Sequence, residues 1–401
     1  MHPADEIRGS SSTKLAGKTI VLGVTGSIAA VETIALAREL IRHGANIIPV
    51  MTPAATRIIH PDALEFATGH TPIVELSGKT EHVTWCGLTK NRADLLIISP
   101  CTANTLSKIV HGIDDTAVTT FATTALGSQI PIILVPAMHL SMYQHPVIQR
   151  NIMLGRKDGL VLLEPRIRKN KATMPKTETI VTQVIRTIGN QKLQRKKVLI
   201  IGGGTAEPID DVRVITNKSS GKTAVALART AFEQGGDVDF WYGCASEPAP
   251  EYLQTTRFET YADLTTLVQK TALESFDIII VCAAIADYTL TKKLGKISSE
   301  QKKLILELQQ TPKILHKIRK KAPHAILIGF KLEPNKKTLE KKSLQLLQDH
   351  RLDAVVGNTV ETMGHTVSDI IIVTKQGKIY QKKGRKEDIV LDIFDILATL
   401  L

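Results

Sequence analysis

Apolar residues arrive along this chain in two rhythms. Short continuous runs rich in β-branched residues alternate with longer stretches in which apolar positions recur every three to four residues. In the first half the runs are TIVLGV (19–24), NIIPVMT (46–52), LLIISP (95–100) and PIILVPAM (131–138). In the second half they are KVLIIGGG (197–204), VDFWYG (238–243), DIIIVCAA (277–284), AILIGF (325–330) and DAVVGN (353–358). Unbroken apolar runs of this length predict parallel strands covered on both faces, because such strands have no wet side to mark with polar residues. IAAVETIALARELIRHG (28–44) and GKTAVALARTAFEQGG (221–236) carry the helical period and end on Gly, a usual helix stop. Near the end, IIIVTKQGKIY (370–380) holds two β runs around Gln-Gly and predicts a hairpin.

The polar, basic segment RTIGNQKLQRKK (186–197) separates two series that begin alike, with strand, Gly-rich turn and helix. The pattern predicts two doubly wound, Rossmann-like α/β domains, residues 1–190 and 191–401. The length of 401 residues agrees, being too great for one ordinary core. Ligands of such sheets bind beyond the carboxyl ends of the strands, so the residues that follow each strand carry the chemistry.

Composition narrows the partners. The opening MHPADEIRGSSST has Asp5, Glu6 and Arg8 and no apolar stretch, and no apolar run approaches the roughly 18 residues of a membrane span. A cytoplasmic protein without a membrane partner is expected. Cys86, Cys101, Cys244 and Cys282 are widely spaced, which predicts neither a disulfide framework nor a zinc site. A net charge of +12 suits phosphorylated small molecules as well as nucleic acid. Aromatics are only 4% of residues, too few for base-stacking platforms, so no nucleic-acid partner is expected.

Four motifs stand at strand ends in the first half. GVTGSIAA (23–30) closes the first strand and opens a helix, where Ser27 and free helix N–H groups can hold a phosphate. His82 lies in EHV ahead of the third strand, SPCTANT (99–105) follows that strand, and PAMHLSMY (136–143) follows the fourth. This order resembles the flavoprotein family of cysteine decarboxylases, and more specifically the decarboxylase half of the bifunctional phosphopantothenoylcysteine decarboxylase/phosphopantothenate–cysteine ligases of coenzyme A synthesis. The resemblance implies a flavodoxin-like domain with FMN held by Gly26, Ser27, Thr102, Ala103 and Asn104. It also implies His82 as catalytic base and His139 as a second catalytic residue, facing the substrate carboxylate. Two departures stand out. The family usually has Asn where this chain has His139, and its flap cysteine is missing from EPRIRKNKATMP (164–175). Lys171 and Cys101 are candidates for the proton donor, and a flavin-binding domain that has lost decarboxylation, beside a working ligase, is the alternative.

The second half carries NKSSGKTA (217–224), which ends like a P-loop but has Thr216 where the first Gly belongs. Glu207 likewise stands where a dinucleotide fingerprint starting at Gly202 needs its third Gly. The longer GGGTAEPIDDVRVITNKSSGK (202–222), then CAAIADY (282–288), Gly295-Lys296-Ile297, TPKIL (311–315) and GFKLE (329–333), resembles the ligase half of the same family. The resemblance implies amide formation through an acyl-cytidylate made from CTP. Asn217 would stabilise that intermediate, with Arg213 in the substrate site and Lys296 neutralising phosphate charge. Asp287, Phe330, Pro312, Lys313, Ile314 and Leu315 would surround the nucleotide, and Gly203, Gly204, Ser219, Ser220 and Gly221 would donate to its phosphates. Mg²⁺ is expected with the triphosphate, its ligands unidentified. Where members commonly carry two nucleotide-contacting lysines this chain has Leu346 and His350, and Lys341 and Lys342 are candidate substitutes. The implied substrates are 4′-phosphopantothenate, cysteine and CTP, and the implied assembly is a homo-oligomer, trimer or dodecamer.

Overall fold

The computed structural model describes residues 2–298, 303–360 and 367–399. The chain forms two compact units, Met1–Asn190 and Gln191–Leu401.

The first unit is built on a five-stranded sheet of β1 (Thr19–Val24), β2 (Asn46–Met51), β3 (Leu95–Cys101), β4 (Ile132–Pro136) and β5 (Val161–Leu162). All its pairings are parallel and the order is β2-β1-β3-β4-β5. Every residue of β3 and β4 is buried, as continuous apolar runs require. The two-residue period of a strand sends Val21, Leu96, Ile98 and Leu134 into one core layer and Ile20, Leu22, Leu95, Ile97 and Ile133 into the other. The predicted helix over 28–44 is two elements, a 3₁₀ turn Ile28–Glu32 and a helix Thr33–Arg42. A small antiparallel sheet stands beyond β4, formed by Met138–His139, Arg166–Arg168 and Lys171–Thr173.

The second unit is an eight-stranded mixed sheet. Its strands are β6 (Lys197–Gly202), β7 (Asp237–Tyr242), β8 (Thr255–Arg257), β9 (Ile278–Val281), β10 (Ile326–Glu333), β11 (Ala354–Thr359), β12 (Val367–Thr374) and β13 (Ile379–Arg385). The order is β8-β7-β6-β9-β10-β11-β12-β13. The first six strands run parallel, and β12 and β13 form the predicted hairpin, antiparallel to β11 and to each other. Alternate residues again divide between two cores, Val198, Ile200, Ile278 and Ile280 on one face and Leu199, Ile201, Ile279 and Val281 on the other. On the edge strand β13, Gln381 and Lys383 are exposed and Lys382 is tied to Asp392 at 2.8 Å, which discourages pairing with another chain.

Candidate functional site

In each unit the strand order reverses once, between β1 and β3 and between β6 and β9. That reversal opens a crevice at the carboxyl edge of the sheet.

In the first unit the crevice is flanked by the loops after β1 and β3, and one side chain clamps them. The buried Thr25 hydroxyl donates to the Pro100 carbonyl at 2.8 Å and accepts from the Thr102 N–H at 3.1 Å. Ser27 caps the Ile28–Glu32 turn, accepting from the Ala29 N–H, and Thr102 caps the Ala103–Val110 helix, accepting from the Thr105 N–H at 3.3 Å. Gly26 is required by close approach, since a Cβ there would lie 2.6 Å from that of Ala54. Gly26, Ser27, Thr102, Ala103 and Asn104 are thus gathered at one crevice. Asn104 is exposed, and Ile28 (75% exposed) leaves a bare apolar surface beside the turn. Two element starts for a phosphate and an apolar surface for a ring suit a flavin nucleotide.

His82 lies on the Glu81–Cys86 helix, its ring edge-on to the buried Phe121 with centroids 6.5 Å apart. Its Nδ1 is buried without a hydrogen-bond partner, so no structural bond commits this nitrogen. His139 is exposed and directly opposite Lys171 in the small antiparallel sheet, and Arg168 is opposite Lys171 on its other side. Cys101 is withdrawn into the core. Its side chain is fully buried in the core with Leu106, Val118 and Phe121, burial pushes the thiol well above its usual range, and its sulfur meets only the Thr102 carbonyl, at 3.8 Å. An all-buried strand hides this in the sequence, because no polar alternation shows which way each residue faces.

In the second unit a cavity of about 640 Å³ opens beyond β6, β9 and β10. It gathers Gly203, Asn217, Ser219, Ser220, Gly221, Asp287, Pro312, Lys313, Ile314, Leu315 and Phe330, all singled out in the sequence. Asn217 bridges two loops, its Nδ2 donating to the carbonyls of Ala284 at 3.2 Å and Ile285 at 3.4 Å. Thr311 fixes the next loop, its N–H donating to the Asp287 carbonyl at 2.9 Å and its hydroxyl to that of Ala286 at 2.7 Å. The Tyr261 hydroxyl donates to the Pro312 carbonyl at 2.6 Å, and Asp287 pairs with Lys313. Cys282 also lines the cavity, but its thiol is pushed up to about 12 by burial and donates to the Ile201 carbonyl, a packing role.

Gly221 opens the Lys222–Glu233 helix in the left-handed region at φ 76°, and an added Cβ would fall 1.9 Å from the Tyr242 hydroxyl, which donates to the Glu247 carbonyl at 2.8 Å. Gly221→Ala is therefore expected to cost about 2 kcal/mol or more, from backbone strain and overpacking together. A denaturant midpoint equal to the wild type's would contradict this.

Arg213 and Lys296 do not line the cavity. Arg213 is a strut: its guanidinium donates to the buried Asp210 carboxylate at 2.6 Å and to the Ile297 carbonyl at 3.2 Å. Burial would raise the Asp210 carboxyl, but N–H groups of Val212, Ile297 and Arg213, with the guanidinium, hold it well below the usual range. The segment bearing the exposed Lys296 is docked by these same bonds. Lys341 and Lys342 do not reach the cavity either; Leu346 lines it, and Lys342 is held by Glu333 at 2.9 Å. Sequence reasoning missed Asn358, Ser368 and Lys386, which line the cavity from β11, β12 and the last helix. Among the described residues no three His, Cys, Asp or Glu side chains form a metal-ligand set, and no helix is long and apolar enough to cross a membrane.

Residues 8–189 match the Flavoprotein family and residues 193–400 match the family described as DNA/pantothenate metabolism flavoprotein C-terminal domain. One chain thus joins a flavoprotein unit to a pantothenate-metabolism unit. The chain is 41% identical to the coenzyme A biosynthesis bifunctional protein CoaBC of Thermococcus kodakarensis, across 96% of this chain and 94% of that one. Against the CoaBC of Methanocaldococcus jannaschii the identity is 38%, across 97% and 95%. Among solved structures it is similar to a C-terminal domain of CoaBC (27% identical, TM-score 0.44, 53% of this chain and 98% of that one). It is also similar to the FMN-dependent cysteine decarboxylase SpaF (32% identical, TM-score 0.38, 43% and 98%). The chain belongs to the family of bifunctional coenzyme A biosynthesis proteins, and is an enzyme with a ligase and a decarboxylase half.

Proposed function

We propose that the second unit condenses 4′-phosphopantothenate with cysteine using CTP, through an acyl-cytidylate, and that the first unit decarboxylates the product to 4′-phosphopantetheine with FMN. The observation that carries the ligase reading is the convergence of Asn217, Asp287, Lys313 and Phe330 on one cavity at the sheet's crevice. Phe330, Ile314 and Leu315 give the nucleoside an apolar wall, and the Asp287–Lys313 pair gives its base and ribose polar partners. Ser219, Ser220 and the N–H groups opening the Lys222 helix lie where phosphates would be held. Asn217, on the same wall, is the residue to stabilise the acyl-cytidylate, on a loop that its amide ties to the Ala284 and Ile285 carbonyls. Mg²⁺ would accompany the triphosphate and neutralise part of its charge.

In the first unit Gly26, Ser27, Thr102, Ala103 and Asn104 would hold FMN, which would supply the reversible electron sink that lets CO₂ leave the cysteinyl group. The protein's share is to bind, orient and move protons. His82 takes a proton through its uncommitted ring, His139 faces the substrate carboxylate, and Lys171 beside it is the remaining candidate to give a proton back. The enzyme works in the cytoplasm as a homo-oligomer, a trimer or dodecamer; a single-chain mass by light scattering would overturn that assembly.

Purified protein given 4′-phosphopantothenate, cysteine and CTP is expected to release pyrophosphate and CO₂. Pyrophosphate without CO₂ would return the first unit to the flavin-binding alternative, and no cysteine-dependent product would sink the ligase reading. In the same assay Lys171→Ala is expected to slow CO₂ release, and normal release would place the donor elsewhere.

A further inference from the structure

Lys386 defies the ordinary rules of charge. It is the first residue of the Lys386–Ala398 helix, is only 9% exposed, and lines the cavity of the second unit. Among the described residues no hydrogen bond or ion pair reaches its ammonium. The neighbouring Asp388 is held by Arg385 at 3.0 Å, and Glu387 is exposed. Buried lysines are ordinarily paired, because removing an isolated ammonium from water is costly. Here burial, with repulsion from Lys222, lowers the pKa of Lys386 against the opposing pull of the Glu387 carboxylate.

Lys222 is itself the first residue of the Lys222–Glu233 helix, and the two helices pack together. Two helices therefore open near one another with a lysine at each start, where the positive end of the helix dipole already disfavours a cation. The cavity wall shows the same imbalance. Lys313 is paired with Asp287 and Lys331 with Glu333 at 3.2 Å, while among the described residues no ion pair reaches Lys218 or Lys386. The Lys222 helix has no side-chain cap at Gly221, so its first N–H groups are free to donate into the cavity. An anion at this place would satisfy the lysines and the helix start together.

We propose that Lys386 is a phosphate-binding residue of the ligase site. Its ammonium and the N–H groups opening the Lys222 helix hold one phosphate group of a substrate, either the triphosphate of the nucleotide or the phosphomonoester of phosphopantothenate. This rests on the reading that the ligase substrates enter this cavity.

The test uses the full chain with Lys386→Met, which keeps the stem and removes the charge, and Lys386→Arg, which keeps the charge. Without added anion the Met variant is expected to melt no lower than the wild type, since it keeps the buried stem and removes an ammonium that has no ion-pair partner among the described residues. A much lower melting temperature would reveal a structural partner and overturn the proposal. Inorganic phosphate or tripolyphosphate is expected to raise the melting temperature of the wild type and the Arg variant more than that of the Met variant. In the pyrophosphate assay the Met variant's KM is expected to rise about ten- to hundred-fold for one phosphate-bearing substrate, the loss of one charge-assisted contact. A rise for CTP assigns the triphosphate, a rise for phosphopantothenate assigns the phosphomonoester, and the KM for cysteine stays put. Unchanged KM values with anion shifts equal to the wild type's would overturn the proposal. A wild type that makes no pyrophosphate would defeat the ligase reading instead, and the anion shifts would still decide whether Lys386 holds phosphate.

Discussion

His82→Asn is expected to lower CO₂ release by about a thousandfold, within the range of general acid–base catalysis, while pyrophosphate release by the same protein is unchanged. Asparagine occupies less of the space against Phe121 and cannot accept a proton near neutral pH. Because Nδ1 of His82 has no hydrogen-bond partner, the substitution breaks no bond at that nitrogen, and the loss would be one of chemistry more than of folding. The cavity proposed for the ligase reaction belongs to the other compact unit and serves as the internal control. Normal CO₂ release from supplied 4′-phosphopantothenoylcysteine would show that the base lies elsewhere.

Asn217→Asp should be nearly as damaging to the other half. The Asn217 amide donates to two carbonyls, and a carboxylate in its place would face both oxygens with an acceptor. Two hydrogen bonds are lost, repulsion replaces them, and a negative charge is added to a cavity that otherwise favours anions. A charge-assisted penalty of about 3 kcal/mol corresponds to a fall of about a hundredfold in steady-state amide formation. Acyl-cytidylate should accumulate in acid-quenched samples wherever the first half-reaction survives. Turnover within a factor of two of the wild type would remove Asn217 from the chemistry, and decarboxylation of supplied substrate should not change.

The long apolar runs made the sheets legible, because burial on both faces leaves an unmistakable signature. Thr255–Arg257 escaped notice as a short, polar edge strand with only one neighbour, and Val161–Leu162 is too brief to show a period. The first helix read as continuous, yet Ser27 caps a 3₁₀ turn and the α-helix begins only at Thr33. Motif order brought together many of the residues that line the cavity of the second unit. It could not tell a wall residue from a strut: Arg213 stands four residues before Asn217, but buried Asp210 turns it away from the cavity. Lys386 was illegible for the opposite reason. In GRKEDI it looks like any surface lysine, and only the packing of the last helix buries it.

The β12–β13 hairpin governs how the cavity of the second unit is closed. The strands from β6 to β11 all point toward the ligand edge, so a chain leaving β11 needs an even number of further reversals to return there. Two antiparallel strands supply that parity, and the final helix starts where Lys386 meets the cavity. One strand fewer would deliver the same helix, with Ile389, Val390 and Ile393, to the opposite rim. The site is therefore closed by counting: a wall encoded more than 160 residues from Asn217 arrives in place because the excursion that carries it has two legs.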